Sequence, residues 1–314
     1  MSQSPGEPVA PQPSLRAVEF PTYISNVLES YVTGLLEQAG IPSFIWGEPY
    51  LSILGSMTAS FYSGYIVPDE DIDKAAEVLD KAAFPPCIHG KEKCLVFSKY
   101  AWHPYPDYHW HTDLVYTELP KWPGDLPSIG VRLYKQSRIF WTFPKPCLGP
   151  PPKDDPYYML VTDPRINTRP GGLAAGRQPE GLYPVKMAVP ARYMEAIMLC
   201  RLRDKRKSPV ADHWDVELNY LAGDEIFGFN LQLNDLNEPF REWAKRMSND
   251  NYAEKVANDF TGARYEVELF LDMKRRNQLP PPERRRWNYP QEESFKEYLE
   301  RFNVPYEESD LVYG

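Results

Sequence analysis

Between Phe20 and Phe84 the spacing of apolar residues alternates between two periods, and this order constrains the fold more than any other feature of the chain. Residues 20–40 (FPTYISNVLESYVTGLLEQAG) carry apolar positions at helical spacing and stop at Gly40, a residue suited to close a helix. IPSFIW follows as a short β-prone run ending at Gly47, then YLSILGSM reads as a helix closed by Gly55. SFYSGYIVP reads as a strand, and DEDIDKAAEVLDKAAF as a helix whose acidic first turn suits the helix dipole. Helix, strand, helix, strand, helix predicts an α/β (α+β) fold.

Beyond Pro85 the periodicity weakens. CLVFSK, DLVYTE, IGVRLYK and RIFWTF are candidate further strands. PKPCLGPPPKDDPYY is a proline-rich connection, and VTDPRINTRPGGLAAGRQPEGLYP a long loop. From Pro190 the chain turns helical, in ARYMEAIMLCRLRDKR, DHWDVELNYLAG and EPFREWAKRMSNDNYAEKVANDFTG. The expected organisation is a disordered tail over 1–15, an α/β domain over 16–185 and a helical domain over 186–314. A chain of 314 residues with 42% hydrophobic residues can bury a sizeable core, and the 33 prolines, interleaved with Tyr and Trp, predict ordered loops.

The segment from Phe44 to Phe84 resembles the nucleotidyltransferase superfamily. In that superfamily a Gly-Ser or Gly-Gly turn approaches the triphosphate, and an Asp-x-Asp pair on the next strand holds two Mg²⁺ ions. Here Trp46-Gly47-Glu48 stands at the turn, and the strand reads Tyr62-Ser63-Gly64-Tyr65-Ile66-Val67. Tyr62 and Gly64 stand where the resemblance calls for the two Asp. Neither can hold Mg²⁺, and Glu48 repels phosphate. The implied fold is a nucleotidyltransferase-like mixed sheet flanked by helices, with a C-terminal helical part. A shifted frame that nominates Asp69, Asp71 and Asp73 competes with a simpler reading, since acidic residues are common in a first helical turn.

A second stretch fits the same superfamily. MEAIMLCRLRDKRKSPVADHWDVELNYL pairs a basic cluster, Arg201, Arg203, Lys205, Arg206 and Lys207, with the acids Asp212, Asp215 and Glu217. Three-residue spacing puts Asp212 and Asp215 on one helical face.

Taken together, WGEPYLSILG, VPDEDIDKAAEVL, PYYMLVTDPRI, GLYPVKMAVPARYMEAIMLCRLRD and HWDVELNYL resemble the fungal arginine-containing cyclodipeptide synthase family and its relatives over residues 20–240. The resemblance implies a transferase that makes a cyclo-arginyl dipeptide, a 2,5-diketopiperazine of secondary metabolism, from arginyl-tRNA and a second aminoacyl-tRNA. That family is associated with an Asp-Asp-x-x-Glu motif. The matching window here is Ala211-Asp212-His213-Trp214-Asp215, so the first Asp is Ala211 and the Glu is Asp215, with Glu217 two residues on. Asp212, Asp215 and Glu217 are the candidate catalytic acids, and Glu48, Tyr62 and Trp214 the candidate substrate contacts. Arg201, Arg203, Lys205, Arg206 and Lys207 are the candidate tRNA contacts, with 274–276 and Arg284, Arg285 and Arg286 as further cationic runs. The net charge of −9 means that any tRNA contact must use such a local basic face.

The chemistry needs neither metal nor cofactor. It needs an amine held beside an ester carbonyl, a base for the amine proton and donors for the oxyanion. Plainer readings stand beside this one: the acids as salt-link partners of the basic run, the basic runs as solvated helix faces, and a degenerate nucleotidyltransferase with residual transfer or a binding role alone. His109 and His111 share a strand face in WHPYPDYHWH, and Cys87 with Cys94 would complete four ligands. C-x₆-C is not a usual zinc spacing, however, so loop packing is the expectation and no metal site is assigned. Cys147 and Cys200 are expected to be buried thiols. With no basic-apolar leader and no long apolar run, a reducing cytoplasmic setting and no membrane partner are expected.

Overall fold

A computed structural model describes residues 21, 24–58, 60–98, 101, 103–112, 129–168, 174–204, 210–222, 231–248, 261–283 and 295–311. The helices are α1 (Asn26–Gln38), α2 (Glu48–Leu54), α3 (Ile72–Lys81), α4 (Gly90–Lys93), α5 (Gln136–Ile139), α6 (Pro190–Asp204), α7 (Val210–Ala222), α8 (Phe240–Ser248), α9 (Thr261–Arg275), α10 (Phe295–Arg301) and α11 (Glu308–Leu311). The strands are β1 (Phe44–Trp46), β2 (Tyr62–Val67), β3 (Tyr108–His111), β4 (Gly130–Lys135), β5 (Tyr158–Leu160) and β6 (Lys186–Ala188).

The strands form one mixed sheet in the order β3-β4-β2-β1-β6-β5. β2 runs antiparallel to β1 and parallel to β4, while β3 and β5 close the two edges antiparallel. The mixed α/β class expected from the periodicity is what forms. β2 is buried at every position, as a central strand covered on both faces must be.

Strand alternation and register sort the side chains. Trp46, Tyr62, Gly64, Arg132, His109 and His111 fall on one face. That face meets α7, where Trp46 lies 6.1 Å from the His213 ring and 6.2 Å from the Trp214 ring. The opposite face meets α1 and α3: Tyr65 donates to the Glu29 carbonyl, and the Trp110 indole to Asp80. α1 opens with the Ser25 hydroxyl accepting from Leu28 N–H, which satisfies one free donor of its first turn.

α6 is buried around most of its circumference. Tyr193, Ala196, Ile197 and Cys200 join the sheet core, while Met194, Met198, Leu199 and Leu202 join a second core with Phe240, Trp243 and Leu269. A third small core links α9 and α10 through Val267, Leu271, Tyr298 and Leu299.

Several elements differ from expectation. CLVFSK is a 3-10 turn (Leu95–Phe97) after α4, and RIFWTF begins as α5 and then turns. Both apolar runs are anchored by buried side chains, Val96 in the first and Ile139, Phe140 and Phe143 in the second, without strand pairing. The PYYMLV stretch contains β5, and β6 extends the sheet past residue 185. Cys147 is exposed, whereas Cys200 is buried and its thiol donates to the Ile139 carbonyl. DLVYTE and the 1–15 tail lie outside the described residues. No helix of the described residues is long and apolar enough to cross a membrane.

Candidate functional site

β1 ends where β2 and β4 begin, and a buried polar cluster is built at this end of the sheet. Its centre is the Gly47 turn. Gly47 has φ 75°, and a Cβ there would stand 2.8 Å from the Tyr62 hydroxyl, so both conformation and space require glycine. The Gly47 N–H donates to the Tyr193 hydroxyl at 3.0 Å. Tyr193 in turn donates to Glu217 Oε2 at 2.5 Å. The rings of Tyr193 and Tyr50 stack with centroids 3.7 Å apart.

On the sheet side, Arg132 lies 3.9 Å over the Tyr62 ring, a cation–π arrangement next to Gly64. A side chain at Gly64 would press on the Trp46 indole nitrogen and the Tyr62 ring, each 3.0 Å from its Cβ position. On the helix side, the i,i+4 pair His213 and Glu217 presents Nε2 and Oε1 3.1 Å apart. Glu48, half-buried, accepts the Phe61 N–H at 2.7 Å at the margin of the cluster, where Phe61 and Met57 are exposed.

The electrostatics follow from this burial. Burial pushes the Glu48 carboxyl up, as does the nearby Glu217, while the Phe61 N–H, Arg132 and His213 pull it back. Burial also raises the phenols of Tyr50, Tyr62 and Tyr193 well above their ordinary range, with Glu217 adding to each. They therefore remain protonated donors at neutral pH. Among the described residues, Trp46 Nε1, the Tyr50 and Tyr62 hydroxyls and Arg132 Nη1 are buried without a hydrogen-bond partner. Each such group costs about 1–3 kcal/mol if unmatched, so these four are donors open to further polar partners.

Of the three candidate acids, only Glu217 enters this cluster. Asp212 is exposed, and Asp215 pairs with Arg201. At 100° per residue, Glu217 lies about 200° around the helix from Asp215, so the three cannot share one face. Tyr62, on β2, and Glu48, at the start of α2, both lie in or beside the cluster. Trp214 does not reach the cluster's polar groups: it is fully buried, and its indole donates to Asp204 at 2.8 Å.

Nor are the first two basic residues available to phosphate. Arg201 is paired with both Asp215 and Glu266. Arg203 is bound to Asp204 and the Arg138 carbonyl in the interior. Lys205, Arg206 and Lys207, like Arg284, Arg285 and Arg286, lie outside the described residues. Lys274, Arg275 and Arg276 are engaged with Asp310 and Asp272.

Asp69, Asp71 and Asp73 stand at the opposite end of β2, on the order of 20 Å along the strand from Tyr62. Asp69 accepts from Ser137, Asp71 pairs with Lys145, and Asp73 accepts from Tyr108, so each fixes the start of α3 to a neighbour.

Sequence reading alone did not single out Tyr50, Arg132, Tyr193 or His213. The His213–Glu217 spacing was a readable signal. The approach of Tyr193 was not, because it depends on how α6 crosses the sheet. Two open clefts of about 490 and 410 Å³ lie beside the start of α6, sharing Tyr157 and Arg192, and neither is lined by Glu48, Tyr62 or Glu217. In a different region, the Cys87, Cys94, His109 and His111 side chains converge despite their spacing in sequence. A comparison with family models, curated proteins and solved structures returned no match.

Proposed function

We propose that the cluster around Gly47 is the active site of an aminoacyl-tRNA-dependent transferase that forms a cyclo-arginyl dipeptide. The observation that carries this reading is the convergence of two carboxyl groups, Glu48 and Glu217, with buried donors that have no partner among the described residues. The carboxyls offer acceptors for a guanidinium or an α-ammonium group. The Tyr62 hydroxyl, Arg132 Nη1 and Trp46 Nε1 offer donors for a developing oxyanion.

In this reading Glu48, raised by burial and placed at the margin, takes the proton from the attacking amine. The amine nitrogen bonds to the ester carbonyl carbon, the carbon–oxygen bond to the first tRNA breaks, and the released ribose oxygen takes a proton. The same step, repeated within the dipeptidyl ester, closes the six-membered ring and frees the second tRNA. Glu217 is held by Tyr193 and faces His213, which suits it to orient the cationic side chain. Asp212 and Asp215 take no part. The resemblance in the sequence supports arginine as one substrate. Metal-dependent nucleotidyl transfer is disfavoured because Tyr62 and Gly64 occupy the positions that would carry the carboxylates.

The test is incubation of the purified chain with arginyl-tRNA and a mixture of other aminoacyl-tRNAs, followed by mass spectrometry for cyclic dipeptides. A cyclo-arginyl product that disappears in Glu48→Gln and Glu217→Gln supports the reading. A folded wild-type chain that yields no such product from fully charged tRNA overturns it.

A further inference from the structure

We propose that Cys87, Cys94, His109 and His111 form a structural zinc site that fastens the 85–97 segment to the edge of the sheet. Their four ligand atoms lie within 4.8 Å of one another. Cys94 Sγ is 3.4 Å from His109 Nε2 and 3.4 Å from His111 Nε2. A tetrahedral zinc with Zn–S near 2.3 Å and Zn–N near 2.0 Å has S···N edges of about 3.5 Å, so these separations are those of a coordination shell. The two imidazoles stand at 90° with centroids 4.9 Å apart, which lets both nitrogens face one point.

The backbone explains how an unusual spacing makes this set. His109 and His111 alternate onto the same face of β3, the edge strand. Pro86 bridges to Trp110, and His111 N–H donates to the Pro85 carbonyl at 3.0 Å, which brings Cys87 alongside the strand. The six residues between the cysteines include the single turn α4, which brings Cys94 back towards Cys87. Cys94 and His111 are buried, and an S₂N₂ donor set with four protein ligands is the chemistry of a closed zinc site, with no open position for catalysis.

The site has a consequence for the neighbouring cluster. His109 is the cross-strand partner of Arg132, on the same face of the sheet, and Arg132 lies over Tyr62. Zinc therefore fixes the wall against which Arg132 rests, and it holds in place the 85–86 segment that bridges to the edge strand.

The experiment is elemental analysis of the full-length protein, purified under reducing conditions without chelator, followed by cobalt exchange. About one zinc ion per chain is expected, with cobalt giving the visible bands and thiolate charge-transfer absorption of a tetrahedral S₂N₂ site. Cys94→Ser and His111→Ala should lose the metal, and Cys147→Ser, which alters an exposed thiol elsewhere, should retain it. Because loss of a ligand also removes packing from the 85–97 segment, wild-type protein treated with a strong chelator is the second measurement, with a fall in melting temperature that zinc alone restores. Wild-type protein carrying iron or no metal, a Cys87–Cys94 disulfide in the reduced preparation, or full zinc retention in the Cys87→Ser/Cys94→Ser chain would each overturn the proposal.

Discussion

The phenol of Tyr193 on α6 donates a 2.5 Å hydrogen bond to Glu217 on α7, while its oxygen accepts the N–H of the Gly47 turn at 3.0 Å. One hydroxyl thus registers two helices and the sheet. Tyr193→Phe removes it, leaving the buried Gly47 N–H without its acceptor and freeing Glu217 to rotate. The expected outcome is a loss of stability of about 1–3 kcal/mol, read from chemical denaturation. Product formation should fall by at least tenfold under conditions where the variant is fully folded.

The three acids of α7 separate by function. Asp212→Ala should leave both melting temperature and product formation unchanged, because the side chain is exposed. Asp215→Ala should cost stability without abolishing activity, since Arg201 keeps Glu266. Glu217→Gln should cost about 10²–10³ in turnover with a folded chain. Equal losses from Asp212→Ala and Glu217→Gln would contradict the proposed site.

Gly47→Ala tests the turn. A methyl group there meets the Tyr62 hydroxyl at 2.8 Å and sits on a backbone with φ 75°. A destabilisation of about 1–2 kcal/mol is expected, with activity falling further than stability as Tyr62 is displaced from beneath Arg132. Gly40→Ala shares the positive φ but meets nothing within 4 Å, and it should show the backbone cost alone.

Glu29 sets a pH dependence. Its carboxyl is buried under the sheet, and burial raises it from 4.5 to about 7. Below about pH 4.5 both folded and unfolded chains hold the proton, so its contribution is at its most favourable. Between 4.5 and 7 the unfolded chain releases the proton first, so stability falls as pH rises, and the loss is complete above pH 7. That loss amounts to roughly 3 kcal/mol. Glu29→Gln should flatten the melting curve against pH across this window and be the more stable chain at pH 8.

The segment from α1 to α3 was readable because each element is long or sharply bounded: Ser25 caps α1, Gly55 in the left-handed region ends α2, and β2 is a continuous buried run. β5 and β6 were not readable, because three residues carry no period and only pairing to each other and to β1 makes them strands. RIFWTF misled because its apolar residues are buried by packing against Phe44 and Tyr193, which turns and strands satisfy equally well. Glu48 and Tyr62 followed from the turn in the sequence. The grouping of Asp212, Asp215 and Glu217 did not survive helical geometry. The convergence of the cysteines and histidines was hidden because it is made by α4 and strand alternation, not by a short repeat of ligands.

The double burial of α6 bears on how the molecule can be taken apart. Its two sides belong to different cores, and Glu283, from the segment after α9, reaches back to Arg138 and to the Asp204 carboxylate at the end of the same helix. A cut placed before residue 190 would strip the sheet of one wall, and a cut after residue 204 would expose the other side to water. Neither fragment inherits a complete interior, so the chain is expected to melt as one cooperative unit, and shortened versions made for crystallisation or screening should keep everything from α1 through Glu283.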